Sequence, residues 1–311
     1  TLKIFNYADY VGPDAITAFT KKYGVKVEVT IFDSMDDAVS KLQANTARFD
    51  VTNVSPDRIG SLVATEQLQP LNHSYIPNFS NVWTQLQDPF YDKKSQYSIP
   101  YTLYTTGVGY RVDKIDPADA TGWELFWNKK YSGKISVWNG SASNLEYTAL
   151  LLGFPPMDDM SSDQISQAKQ KLIDQKPLNK FYWSSEYGAG GMQPAFKSGD
   201  IWITYSWQDA FVSMQNAGLK VAYMNPSQGR LSWFCGFMLG KNTKNYYHAQ
   251  KYVESFINQK ACAQMTNLYY YGTSNTKVLV SDIKDQGLAK SLNLGNPLAI
   301  AASDVHLQSW E

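Results

Sequence analysis

The sequence has few of the residues that catalytic and metal centres are usually built from. It holds only 3 histidines, His73, His248 and His306, widely separated along the chain. No HExxH, GxSxG or Cys–His motif occurs, and no cluster has metal-ligand spacing. Only Cys235 and Cys262 are present, which permits one disulfide or two separate buried thiols. Net charge is lacking as well: 28 Lys and Arg balance 28 Asp and Glu, so there is no basic footprint for nucleic acid or an anionic membrane. No run of about 18 apolar residues occurs, which leaves no segment fit for a membrane-spanning helix. Internal repeats and low-complexity segments are also missing. These absences speak against an enzyme, a nucleic-acid binder and a membrane-spanning protein, and they imply no cofactor and no metal.

What is abundant is aromatic. The 311 residues include 21 Tyr, 14 Phe and 9 Trp, a surplus suited both to a core and to a cleft that grips a small ligand. At this length one core is too small a unit, and two lobes are expected. The chain opens Thr1-Leu2-Lys3-Ile4-Phe5, without Met and directly in a strand pattern. That reads as a mature chain after removal of an export signal, or as a trimmed one. A periplasmic or otherwise extracytoplasmic location follows, with a monomer expected.

The first hundred residues alternate strand and helix. Strands are predicted at 2–7, 25–32 and 50–54, with helices from Pro13 to Lys22, from a Ser34 cap to about Ala44, and from Ser55-Pro56. A second set places strands at 134–138, 200–206 and 219–223 and helices at 143–152, 161–175 and 207–217. Helices at about 246–257 and 260–269 follow. This rhythm argues for an α/β fold with mostly parallel sheets. Two strand-like crossings, 104–110 and 233–239, join the sets, although Gly107 and Gly109 weaken the first as a plain strand. Two crossings make a hinge: lobe one is predicted as 1–106 plus 236–280, lobe two as 107–235 plus 281–311, with the ligand cleft between them.

Several short segments occur in a telling order: Phe5-Asn6-Tyr7-Ala8-Asp9-Tyr10, Phe32-Asp33-Ser34, Tyr97-Ser98-Ile99-Pro100-Tyr101-Thr102, Gly122-Trp123-Glu124-Leu125-Phe126, Tyr205-Ser206-Trp207, Trp233-Phe234-Cys235 and Tyr271-Gly272-Thr273-Ser274-Asn275. Their order and spacing, over almost the whole chain, resemble the periplasmic spermidine/putrescine-binding branch of the extracellular solute-binding superfamily. The resemblance implies a two-lobe periplasmic binding protein of an ABC importer, closing on its ligand by hinge motion and delivering it to a permease in the inner membrane. It also implies a ligand site. Tyr7 and Trp207, Trp233 and Tyr271 match the family's cleft aromatics, Asp9 an acidic position, and Ser55 a cleft serine.

The family's other carboxylates do not carry over. Its hinge Asp is Cys235 here, and its pair of acids at a helix start is replaced by the stretch Asn139 to Asn144, with Glu146 about a turn beyond. Asp57 stands where the family has another Tyr, followed by Arg58. Fewer acids imply a ligand with fewer positive charges than spermidine, presenting hydroxyls, an amide or a carboxylate to Ser, Asn144 and Arg58. Opine- and amino-compound binders, mannopine-like conjugates included, are the branch this points to. A true polyamine binder remains the alternative, and a chemosensory role is compatible with the same fold. Tyr269-Tyr270 raises a ferric-ion or other metal-ion or anion site as a third reading. The glycine-rich run 187–191 lacks the ending of a phosphate loop and reads as a loop and helix start.

Overall fold

The computed structural model describes residues 1–7, 10–32, 35–44, 48–89, 91–155, 157–184, 191–224, 226–292 and 306–307. β1 (Leu2–Asn6) leads through α1 (Pro13–Tyr23) to β2 (Val27–Ile31), then through α2 (Met35–Gln43) to β3 (Val51–Val54), α3 (Pro56–Ala64) and β4 (Leu68–Gln69). After several short 3-10 turns comes β5 (Ser98–Arg111), then β6 (Ile135–Trp138), α4 (Ser141–Leu152), α5 (Ser162–Gln175) and β7 (Asn179–Trp183). Next are α6 (Met192–Ser198), β8 (Ile203–Trp207), α7 (Gln208–Asn216), β9 (Val221–Met224) and β10 (Leu231–Gly240). The chain continues through α8 (Tyr246–Phe256), α9 (Gln259–Tyr269), β11 (Gly272–Thr273), α10 (Gln286–Ser291) and β12 (His306–Leu307).

Two compact units result. Among the described residues, 1–103 and 233–292 form unit one, and 104–232 with 306–307 form unit two. The chain passes between them within β5 and within β10. Residues 281–292, expected with the second lobe, belong to unit one. The reason is local: Gln259 and Asn267 of α9 donate to the carboxylate and carbonyl of Asp282 at 3.0 and 2.9 Å, and Ile283, Leu288 and Ala289 are buried.

In unit one, β1 lies between β2 and β3, all parallel, with Leu2 opposite Val27 and Ile4 opposite Val51. β10 runs antiparallel to β3, from Gly236 opposite Val54 to Leu239 opposite Val51. The helices begin and stop where the residues dictate. Pro13 occupies the first turn of α1, and Gly24 ends it at φ 67, a conformation glycine adopts without strain. The core is aromatic: the Tyr101 and Phe237 rings stand 4.6 Å apart and those of Tyr252 and Phe256 4.5 Å.

Cys235 and Cys262 are both buried and not joined in a disulfide, so of the two states the sequence allowed, the separate thiols are the one present. Burial pushes the Cys262 thiol up to about 12 from an ordinary 9.0. A pKa raised by folding contributes stability that is fully present below the unfolded value and is lost as pH rises through the folded one. A difference of about 3 in pKa corresponds to roughly 4 kcal/mol when complete. Between pH 9 and 10.5, Cys262→Ala is therefore expected to lose less stability than the parent, by about 2 kcal/mol. Identical slopes of melting temperature against pH in the two proteins would contradict this.

In unit two, β6 pairs in parallel with β7 and β8, while β5 takes β8 and β9 as antiparallel neighbours. β7 is an addition to the elements the sequence predicts, which place a helix ending at Gln175 and next a strand from Asp200. Its polar start, Asn179-Lys180, and its alternating burial fit a strand that pairs only with β6 among the described residues. The glycines of β5 do not interrupt it, and 98–111 is one continuous strand. They make room instead. A Cβ on Gly109 would lie 1.8 Å from the Phe211 ring, and one on Gly107 would lie 2.9 Å from the Met224 carbonyl. The Ser161–Gln164 capping box opens α5 as its sequence implies. Ser34 and residues 187–190 lie outside the described residues. No helix among those described is long and apolar enough to cross a membrane.

Candidate functional site

Open parallel sheets bind ligands at the carboxyl ends of their strands. In unit two those ends are all tryptophan: β6 finishes at Trp138, β7 at Trp183 and β8 at Trp207. The Trp138 ring lies 4.8 Å from Trp183 and 5.3 Å from Trp207, and Trp183 lies 5.3 Å from Trp207, all edge to face. Trp207 is half-buried and is the residue preceding α7. Gly140 is required here: a Cβ on it would come within 2.5 Å of the Trp138 indole.

Asn144, one turn into α4, is 9% exposed. Its Nδ2 donates to the Trp138 carbonyl at 3.1 Å, while its Oδ1 is buried without a hydrogen-bond partner among the described residues. Glu146, further along α4, is also buried. Burial, and to a smaller extent the nearby Glu146 carboxylate, raises the pKa of the Tyr205 phenol. On β5, the Thr105 hydroxyl donates to Gln208 Oε1 at 3.2 Å and meets the Tyr223 hydroxyl at 3.0 Å.

Unit one presents a row of rings at the carboxyl end of β1. Tyr7, half-buried, packs 4.3 Å from Phe32 and 5.8 Å from Tyr10. Tyr10 stacks on Tyr271 at 5.2 Å and 29°, and Tyr271 on Tyr269 at 6.4 Å. Asn6 shapes this turn, accepting from the Tyr7 N–H at 2.9 Å and donating to the Tyr10 carbonyl at 3.2 Å. Ser55 is buried directly after β3, and its side chain does not cap α3. Arg58 is half-buried in α3. Asp57 lies in the first turn of that helix, but its side chain, like all of Asp9, lies outside what is described. Trp233 is half-buried on β10, and Cys235, two residues on and so on the same strand face, is buried. Tyr269, Tyr270 and Tyr271 are all half-buried. The Tyr269 hydroxyl donates to the Val11 carbonyl at 3.1 Å. Among the described residues no group of three His, Cys, Asp or Glu side chains is placed to hold a metal ion.

Of the expected residues, Tyr7 and Tyr271 are joined through Tyr10 in unit one, and Asn144 and Trp207 through Trp138 in unit two. Trp138, Trp183 and Tyr10 were missed. The signal in the sequence is weak: Trp138-Asn139, Trp183-Ser184 and Trp207-Gln208 each put an indole before a polar residue at a strand end.

A match to the bacterial extracellular solute-binding protein family spans residues 14–290. The chain belongs to that family. As a member it is a solute-binding protein and not an enzyme. This solute-binding protein is 26% identical, over 88% of its length and 78% of the relative's, to the putrescine-binding periplasmic protein PotF of Escherichia coli. Its fold matches the spermidine/putrescine ABC transporter substrate-binding protein PotD of Streptococcus pneumoniae with a TM-score of 0.85 at 21% identity, covering 100% of this chain and 92% of that one. It also matches the binding protein MotA of A. tumefaciens, solved in complex with glucopine, with a TM-score of 0.77 at 15% identity, over 99% and 93% of the two chains. The solute-binding protein thus has the two-lobe α/β fold of periplasmic binding proteins.

Proposed function

We propose that this solute-binding protein captures one small polar, nitrogen-containing molecule of the opine or amino-compound kind by hinge closure, and delivers it to an inner-membrane permease from the periplasm. The observation that carries the reading is the tryptophan corner of unit two, where three indoles meet edge to face and the Asn144 amide donates to the backbone carbonyl of Trp138. Indole faces grip alkyl stems and single cations, and a neutral amide suits a hydroxyl or amide better than a second ammonium. The unit-one ring row and the half-buried Arg58 support a ligand with mixed polar groups. A plain polyamine is the second reading, favoured by the putrescine-binding relative.

Trp207→Ala and Trp233→Ala are each expected to weaken solute binding by about 1–3 kcal/mol, as truncation of an aromatic anchor does. Native mass spectrometry of protein purified without denaturation supplies the solute, and calorimetry measures the loss. Unchanged affinity in both folded variants would assign these rings to the core and remove the basis of the reading.

A further inference from the structure

Arg230, in unit two, is a buried cation without a counter-charge. It is 9% exposed, and among the described residues its side chain makes no hydrogen bond and no ion pair. An arginine stays charged across the working pH range, and a desolvated charge left unpaired is destabilising. The guanidinium is sealed on one side only. Its Nε is shut off from solvent, whereas Nη1 and Nη2 are not, so the outer edge is the part that remains accessible. The backbone at this place is held by Trp123, whose Nε1 donates to the Gly229 carbonyl at 2.9 Å and whose N–H donates to Gln228 Oε1 at 3.2 Å.

The surroundings offer hydroxyls and no ion pair. Gly107 lets the Tyr223 ring lie along β5, since a Cβ there would come within 3.0 Å of the ring's Cζ. The Tyr223 hydroxyl meets Thr105 Oγ1 at 3.0 Å, and Thr105 donates onward to Gln208 Oε1 at 3.2 Å. Desolvation raises the Tyr223 phenol, while the Thr105 hydrogen bond and then the Arg230 charge hold it back, which sets the guanidinium near that hydroxyl. Asp209 acts on the same phenol in the opposite sense, yet among the described residues no ion pair joins it to Arg230. Glu124 is engaged by Thr121 and by Gln228 Nε2. Thr105 and Gln208 flank the ladder pair Thr106–Trp207, so this polar chain adjoins the carboxyl end of β8, where Trp207 stands.

We propose that Arg230 binds a carboxylate of the solute through its outer Nη edge, so that the solute is an amino acid or opine-type conjugate bearing an acid group and not a simple amine. The inference rests on the solute-binding reading and narrows it. A guanidinium edge presents two parallel N–H donors that match the two oxygens of a carboxylate, and one negative charge balances the site. An ammonium would add a second positive charge, and a neutral amide would leave the first uncompensated. A phosphate dianion would overshoot the balance and find too few donors.

The test titrates sodium acetate, acetamide and inorganic phosphate, at matched ionic strength, into the full chain labelled with 15N-arginine. The Arg230 Nε–H resonance is assigned by its loss in Arg230→Met. Acetate is expected to shift it in a saturable titration, and acetamide to leave it in place. No response to acetate, an equal one to acetamide or a stronger one to phosphate would overturn the proposal. The solute recovered by native mass spectrometry should carry a carboxyl group, and Arg230→Lys, which keeps the charge but loses the fork, should bind it about tenfold or more weakly. A solute without an acid group, or undiminished affinity in both Arg230 variants, would also overturn it. Without ligand, Arg230→Met should melt no lower than the parent, because it removes an uncompensated charge and keeps the stem. A melting point several degrees lower would show that the guanidinium is structural. The solute-binding reading stands or falls separately, on the calorimetry of Trp207→Ala and Trp233→Ala.

Discussion

Spermidine and putrescine are expected to bind this protein roughly 100-fold or more weakly than its own solute does. The family resemblance places polyamine-holding carboxylates at two sites where this chain has Cys235 and the stretch Asn139 to Asn144. Cys235 is a buried thiol at 1% exposure on the strand face shared with Trp233, and a thiol is a weak acceptor. Asn144 has its nitrogen committed to the Trp138 carbonyl and offers a single neutral oxygen. An ammonium desolvated against either group lacks a counter-charge, which costs several kcal/mol. If the native solute binds near 1 μM, about 8 kcal/mol is at stake, and the loss of one charged partner removes a large share of it. Titration at fixed salt with polyamines, amino acids and sugar–amino-acid conjugates measures the difference, and Cys235→Asp should recover part of the putrescine affinity. Submicromolar spermidine binding by the parent protein would show that the plain polyamine reading is right.

Much of the fold could be read from local chemistry because the signals were local. Gly12-Pro13 and Gly24 bracket α1, Ser55-Pro56 opens α3, and the Ser161–Gln164 box opens α5. β7 escaped because an edge strand needs only one apolar face, and Asn179-Lys180-Phe181-Tyr182-Trp183 shows it weakly. The assignment of residues 281–292 escaped for a different reason, since it depends on Asp282 meeting Gln259 and Asn267, a contact that no local pattern announces. The candidate site divides in the same way. Trp207, Trp233, Tyr7 and Tyr271 were expected from the resemblance. Trp138 and Trp183 were not, because an indole ending a strand is an ordinary core residue until the sheet order sets three such ends side by side.

Gly109→Ala is expected to destabilise unit two by at least about 3 kcal/mol, near the upper end for overpacking a core. The added Cβ would lie 1.8, 2.1 and 2.6 Å from three carbons of the Phe211 ring. That ring has nowhere to retreat: it is fully buried and meets Phe196 edge to face at 5.5 Å. Moving the strand instead disturbs pairings on both sides, because Gly109 lies opposite Thr204 of β8 and Tyr223 of β9. The clash also falls on one of the two segments by which the chain passes between its units, so its consequences extend beyond packing to any hinge built on β5. Gly218→Ala is the control. It sits at φ 83 with nothing within 4 Å of its Cβ, so it incurs backbone strain alone, about 1 kcal/mol. In a calorimetric scan the Gly109 variant should melt several degrees below the Gly218 variant, given about 2–4 °C per kcal/mol at this size. Adding Phe211→Leu to Gly109→Ala should restore part of the loss by clearing the ring. If Gly109→Ala melts with Gly218→Ala, the close approach of Phe211 to β5 is not what holds that position to glycine.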